Sequence, residues 1–475
     1  MYLVVVTFLL CFIVVYIIVQ LRKYKEINKV PGPKWWELFQ VLVLGNPNED
    51  LYKYLISLPE KYGSVVKIWL KPLKPALFIA DKKYFEHILG SKEHINKTKL
   101  YDMLNILGGD GLATTKDVHK WKCDRKLLNN IFNQSSVANY VPKLKYHAKK
   151  LKKLLESYEN KPVDVHDIVY YTTLYIIIEY LTGDIISEKV ASKLITAEGK
   201  SLEIMLERAK SVYKSNDFLF RFTKNYKPWL KSTEAMDNVF VSILEEEIQK
   251  LQLKRDDYGK KDFITVLMEN HQSMYSILSH LKTFILAGFD TTATATGFVL
   301  YEISQREDIQ KNIYDEYVSI VGLKDEFTFD DIQNMTYTEA VIKETMRIYP
   351  PIPFTERKLK TPIDIDGVTI PADIDLVFSI PSLHNKNFSN PDEFNPERFL
   401  KEHDNIDPYE YTPFSIGPRD CIGRRFALVE MKYLIVYIVR YFSLHPVEPQ
   451  HNVDLTGDFV LRSKNGLPVI FKKRI

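Results

Sequence analysis

Ten residues near the C-terminal end constrain this chain more than any other feature: Phe414-Ser415-Ile416-Gly417-Pro418-Arg419-Asp420-Cys421-Ile422-Gly423. Two glycines and a proline predict a tight loop, and helical periodicity begins directly after Cys421 and continues to about Phe442. A cysteine at a helix N-terminus has its thiolate stabilised by free backbone N–H groups and by the positive end of the helix dipole. An anionic sulfur ligand to a metal needs that environment. Gly417 permits the turn, Gly423 permits close approach of a flat group, and Arg419 can set its guanidinium on a carboxylate at that group's edge. Most free cysteines are only small buried apolar residues. Against that reading, Phe414, Gly417, Arg419, Cys421 and Gly423 fix five of the ten positions. A chance match of that kind is expected about once in ten thousand chains of this length.

The remaining cysteines, Cys11 and Cys123, bring the total to three in 475 residues. That excludes a disulfide framework and any four-cysteine zinc or iron–sulfur site. Lys+Arg 64 against Asp+Glu 61 leave a net charge of +3. No global field therefore points to nucleic acid, and a charged docking face must be local. Helical spacing dominates from about residue 116 to 346, including a long helix over 276–305. Strand-like pieces fall at 64–69, 76–80, 363–370 (around an Asp366-Gly367 turn) and 467–471, while prolines leave room only for short helices between 361 and 418. The fold class is mainly α with small β-sheets, and no repeat or composition break divides it.

Residues 1–19 are apolar throughout except Thr7. As a helix rising about 1.5 Å per residue they span roughly 28 Å, close to the hydrocarbon thickness of a bilayer. No basic stretch precedes the run and no small-x-small cleavage site follows it, so a retained signal anchor is expected rather than a removed signal peptide. Arg22, Lys23, Lys25 and Lys29 place the following chain on the cytosolic side. Pro31-Gly32-Pro33 cannot continue a helix and reads as a rigid hinge. The expected organisation is an anchor over 1–21, a basic linker and hinge over 22–33, and one large catalytic domain over 34–475. Other apolar stretches are broken by Glu179, by His280, Lys282 and Asp290, or by Arg440, so no second span is expected.

A second chemical segment, Ala287-Gly288-Phe289-Asp290-Thr291-Thr292, lies midway along the long helix. Gly288 costs about 1 kcal/mol there relative to alanine, which implies a special local geometry. The Thr291 hydroxyl can compete for the Ala287 carbonyl and distort the helix. Three further motifs follow the same order along the chain: Trp121-Lys122-Cys123-Asp124-Arg125, Lys343-Glu344-Thr345-Met346-Arg347 and Pro396-Glu397-Arg398-Phe399. By themselves, Glu344 and Arg347 are an i,i+3 pair worth about 0.2–0.5 kcal/mol on an exposed helix.

Together with the cysteine loop, these motifs resemble the cytochrome P450 family from Pro31 onward. The resemblance implies the cytochrome P450 fold and a noncovalent haem b with Cys421 as its axial thiolate and metal ligand. It implies propionate contacts from Trp121, Arg125, Arg357 and Arg419, and packing around the haem by Phe414, Gly417 and Gly423. Ala287 and Gly288 would border the oxygen groove, with Asp290 and Thr291 as the catalytic acid–alcohol pair that relays protons. Glu344, Arg347 and Arg398 become a buried brace behind the cysteine loop. Residues 121–132, 349–353, 383–400 and 421–432 resemble family 4 and its clan, particularly arthropod microsomal members. Ala287 stands where many family 4 enzymes carry a glutamate that can esterify the haem, so a noncovalent cofactor is expected and strict terminal selectivity is not.

The activity implied is insertion of one atom of O2 into a lipophilic substrate: a fatty acid, hydrocarbon or xenobiotic. Leu104, Leu107, Phe284, Ala287, Ile352, Phe354, Phe459 and Val460 are the candidate pocket residues. No Gly-x-Gly-x-x-Gly occurs, so the electrons are expected from NADPH–cytochrome P450 reductase at the endoplasmic reticulum membrane, with cytochrome b5 as a further candidate donor. Lys122, Lys126, Arg424, Arg425 and Lys432 are candidates for the basic docking face. A hydroperoxide-rearranging enzyme and a non-catalytic haem-carrying protein are the alternatives, the first disfavoured by the intact Asp290-Thr291 and the second by the presence of ligand, proton relay and bracing triad together.

Overall fold

The computed structural model describes residues 15, 19–20, 22–39, 50–71, 74–209, 211, 213–253, 263–322, 324, 326–400, 406–457 and 459–474. Most of the expected membrane anchor lies outside these residues. Among the described residues, helices of eight or more residues are α1 (Leu51–Tyr62), α2 (Leu100–Gly108), α3 (Val118–Leu128), α4 (Gln134–Ser157), α5 (Val165–Thr182), α6 (Glu188–Ala209), α7 (Tyr226–Leu253), α8 (Met274–Ser304), α9 (Glu307–Val321), α10 (Thr336–Ile348), α11 (Ile380–Asn387) and α12 (Arg424–Tyr441). The strands are β1 (Val65–Lys71), β2 (Lys74–Ile79), β3 (Pro162–Asp164), β4 (Phe354–Lys358), β5 (Ile363–Ile365), β6 (Val368–Ile370), β7 (Asp375–Ser379), β8 (Phe442–His445), β9 (Leu455–Gly457), β10 (Leu461–Ser463) and β11 (Pro468–Lys473). The mainly α architecture with small sheets is the expected one.

The central element is α8, 31 residues and therefore roughly 46 Å long. Ser273 caps its start by accepting the Ser276 N–H at 3.2 Å. The helix is long and apolar enough to cross a bilayer, but 78% of its most apolar window is buried inside the protein. It is a core helix, apolar on nearly every face because neighbours cover it nearly all round. Its most extensive contact is with α5, itself buried along most of its length. Gly288 belongs to this contact: a Cβ there would stand 2.8 Å from Ile177 Cγ1. The glycine thus serves the close approach of two helices, a reason that the sequence reading of a special local geometry did not identify.

A four-stranded sheet, ordered β1-β2-β7-β4, packs beside the helical mass. β2 and β7 pair in parallel although some 300 residues separate them, whereas β1–β2 and β4–β7 are antiparallel. The expected strands at 64–69 and 76–80 form β1 and β2. The Asp366-Gly367 turn closes the β5–β6 hairpin, with both residues in left-handed backbone at φ 49° and 82°. β4 and β7 had no alternating signature to reveal them. The proline hinge is fastened to this sheet, where the Lys67 N–H donates to the Pro31 carbonyl at 2.8 Å.

Candidate active site

A cavity of about 1530 Å³ opens among α2, α3, α6, α8, β4 and the loop that precedes α12. All eight expected pocket residues line it, as do Trp121, Arg125, Gly288, Asp290, Thr291, Phe414, Arg419, Cys421 and Gly423. Residues as far apart as Leu104 and Val460 thus converge on one site.

The cysteine loop is shaped by two left-handed residues, Ser415 (φ 58°) and Gly417 (φ 79°), and closed by the Cys421 N–H donating to the Phe414 carbonyl at 2.9 Å. Gly417 presses on the backbone of Leu89–Gly90: a Cβ would lie 2.0 Å from the Leu89 carbonyl oxygen. α12 begins at Arg424 with Gly423 as its N-cap, so Cys421 stands two residues ahead of the cap rather than at the first turn. The Gly423 N–H nevertheless donates to its sulfur. Cys421 opens onto the cavity while protein encloses it on all other sides, so burial pushes the thiol up and the Gly423 N–H offsets part of that. A coordinated metal ion reverses the balance and deprotonates the thiol.

Cations gather on the wall beside this loop. Arg125 donates to the Asp420 carbonyl at 2.7 Å and to its carboxylate at 2.6 Å. Arg419 lies over the Trp121 ring at 4.2 Å. Its Nε and Nη1 find no acceptor among the described residues, and neither does Arg357 Nη2. Arg357, expected as a propionate contact, is 1% exposed on β4. Lys97, which the sequence reading missed among the lysines of its segment, joins them with Nζ 3.9 Å from the Tyr101 ring centre. Burial first, then Arg357 and Arg419, hold this lysine well below its usual range. Two arginines with unmatched donors and a lysine beside them make sense next to a flat cofactor bearing carboxylates. The space beside Cys421 agrees, since a Cβ on Gly423 would meet only the Cys421 sulfur, at 3.9 Å. The residues fit a haem.

On the facing wall, the Thr291 hydroxyl donates to the Ala287 carbonyl at 2.8 Å, the competition expected from sequence. Asp290 is buried and accepts from Arg462 of β10 at 2.5 Å. Burial raises its carboxyl and the Arg462 charge opposes the rise. Arg462 also contacts His166 at the start of α5.

Behind the loop, Glu344 holds Arg347 through both carboxylate oxygens, at 2.8 and 3.0 Å, with both side chains buried. Arg398 Nε stands 3.5 Å from Glu344, and the Asn395 N–H donates to it at 2.8 Å. The sequence reading missed how this brace reaches the cysteine loop. His384 of α11, fully buried, contacts the Arg347 carbonyl through Nδ1 at 2.9 Å and the Thr412 N–H through Nε2 at 3.0 Å. A carbonyl only accepts and an N–H only donates, so His384 is neutral with its proton on Nδ1. Burial lowers its pKa to about 3.

The sign of that shift gives a prediction. The unfolded chain protonates His384 near pH 6.5 while the folded chain keeps it neutral to about pH 3. Its contribution is complete above pH 6.5 and falls by about 1.4 kcal/mol per pH unit below it, down to about pH 3. Unfolding of wild type and His384→Gln followed from pH 7.5 to 4.5 should show a shallower acid loss in the variant; equal slopes would remove His384 from the account.

The sulfur, the cation wall and the acid–alcohol pair around one cavity define a haem-thiolate site. The family model for cytochrome P450 matches residues 30–469. The chain belongs to that family and is a haem-thiolate monooxygenase, with an oxidisable small molecule, O2 and a redox partner as its reactants. It is 29% identical to "Cytochrome P450 4d2" of Drosophila melanogaster over 476 residues, covering 94% of each chain. To "Cytochrome P450 4V2" of Homo sapiens it is 28% identical, covering 95% of this chain and 91% of the relative. To "Cytochrome P450 4c21" of Blattella germanica it is 30% identical, covering 91% and 90%.

The expected docking face needs one correction. Lys122, Lys126, Arg424 and Arg425 are exposed, but Lys432 is 1% exposed and pairs with Glu339 at 2.9 Å. It lies on the inward face of α12, where that ion pair satisfies its charge, and cannot meet a partner.

Proposed function

We propose that this chain inserts one oxygen atom from O2 into a lipophilic substrate, a fatty acid, hydrocarbon or xenobiotic, with electrons from NADPH–cytochrome P450 reductase. The carrying observation is that the Cys421 sulfur and the Asp290–Thr291 pair open onto one cavity lined by Leu104, Leu107, Phe284, Ile352 and Phe459. Bound haem b supplies the oxidising chemistry, activating O2 with electron density pushed from the cysteine thiolate. Cys421 holds the metal, while Trp121, Arg125, Arg357, Arg419 and Lys97 receive the propionates. Phe414 and Gly423 border the cofactor face, and Gly417 clamps the loop that presents them. Ala287 carries no carboxyl, so attachment is noncovalent. Thr291 turns its hydroxyl from the Ala287 carbonyl to hydrogen-bond at the reacting oxygen, and Asp290 passes it protons by way of water.

Residues 1–21 serve as a single-pass anchor in the endoplasmic reticulum membrane and 22–33 as linker and hinge, leaving 34–475 as the cytosolic catalytic domain. The exposed Lys122, Lys126, Arg424 and Arg425 form the basic face for the reductase, and for cytochrome b5. Reconstitution with reductase and NADPH should give oxygenated products from a panel of fatty acids, hydrocarbons and xenobiotics; NADPH oxidation with no product across the panel would refute the reading. In the same assay Thr291→Ala should lower product per NADPH by about 10²-fold with a matching rise in peroxide. Unchanged coupling would take Thr291 out of the proton path.

A further inference from the structure

Among the described residues, the cavity wall carries one buried carboxylate that the chemistry above leaves unused. Glu198, on α6, lines the cavity next to Leu202 and Met205 and is 7% exposed. Positions 198, 202 and 205 share one helix face, so this carboxylate interrupts an otherwise apolar stripe. The Tyr170 hydroxyl donates to it at 3.1 Å. Among the described residues, no basic side chain pairs with it. The other carboxylates lining the cavity differ: Asp290, Asp375, Asp420, Asp102 and Asp217 pair with Arg462, Lys74, Arg125, Lys116 and Arg208, and Glu356 accepts from the Thr98 hydroxyl. Arg462 is the nearest cation electrostatically, but Asp290 already holds it. Two carboxylates therefore share one guanidinium, and Glu198 when ionised has no countercharge of its own.

We infer that Glu198 is a specificity-determining residue that selects lipophilic substrates bearing a cationic head over those bearing a carboxylate. This rests on the monooxygenase reading of the same cavity. An ammonium placed against Glu198 supplies the missing countercharge, whereas a carboxylate meets a second buried anion. A matched alcohol is the neutral reference. Burial and then the Asp290 charge push Glu198 up to about 7, with Arg462 and the Tyr170 hydroxyl opposing, so the preference for cations should strengthen as pH rises through that value. The groups facing it are Asp290 on α8, Tyr170 on α5 and Arg462 on β10, and His166 lies against Arg462.

The test uses the haem-loaded full chain and equilibrium dialysis at pH 8 with three twelve-carbon probes: dodecyltrimethylammonium, dodecan-1-ol and dodecanoate. The quaternary head has no lone pair for the iron, so binding reports the pocket alone. Wild type should bind the cation at least about tenfold tighter than the carboxylate. Glu198→Gln should abolish that ratio and leave the alcohol within about twofold. Glu198→Leu serves as a second variant should the glutamine form load poorly. Wild type favouring dodecanoate, or a ratio unchanged in both variants, overturns the inference. Haem loading and product formation are measured first, so failure of the monooxygenase reading is seen separately from loss of cation preference.

Discussion

Replacing Cys421 by alanine should abolish the thiolate-type carbon monoxide difference spectrum and reduce product formation to background. No other thiol can substitute among the described residues: Cys123 is exposed on α3, 4.0 Å from His119, and does not line the cavity. The variant should still fold. Cys421 anchors its loop through its backbone N–H, which alanine retains, and the Gly417 contact with Leu89 is untouched. Circular dichroism and the unfolding midpoint of the haem-free form should therefore stay close to wild type while the spectrum is lost. An unchanged spectrum would refute the ligand assignment outright.

Glu344→Gln should act in the opposite way, through stability rather than chemistry. It leaves Arg347, 3% exposed, as a buried cation without its carboxylate. Breaking a buried pair from one side costs about 3–5 kcal/mol. Whole domains are stable by only about 5–15 kcal/mol, so much of the protein should fail to load haem. The molecules that do load should turn over at the wild-type rate per haem, because Glu344 touches neither substrate nor cofactor. Adding Arg347→Met should recover part of the loss in thermal unfolding, since both charges are then gone. A fall in rate per haem with normal loading would mean that the brace enters the chemistry directly.

Most of the chemistry was legible in the sequence because its parts are short and local. The turn glycine, the ligand and the helix that follows occupy ten contiguous residues, and Ala287 to Thr291 need only helix geometry to meet. Trp121 and Arg125 were legible for the same reason, being one turn apart on α3 beneath an Asp117 cap. Gly288 was noticed, and it lines the cavity, but its close approach to the side chain of Ile177 on another helix was not legible. The start of α12 was set two residues early, since periodicity marks apolar faces and not caps.

Lys97, Glu198, His384 and Lys432 could not be assigned from sequence. A lysine, a glutamate or a histidine in a polar stretch carries no sign of its burial, and it is burial that makes each of these four count. Lys97 acquires meaning from Arg357 and Arg419, and Lys432 from Glu339. His384 lies 37 residues from Arg347 and 28 from Thr412. Glu198 depends on Asp290 having taken Arg462. The sequence by itself determined the class of chemistry and singled out the proposed ligand and proton pair, since those rest on local backbone geometry and residue identity. Only the tertiary structure decided which charges are buried, how they are paired and which one is left over, because desolvation and ion pairing depend on neighbours far away along the chain.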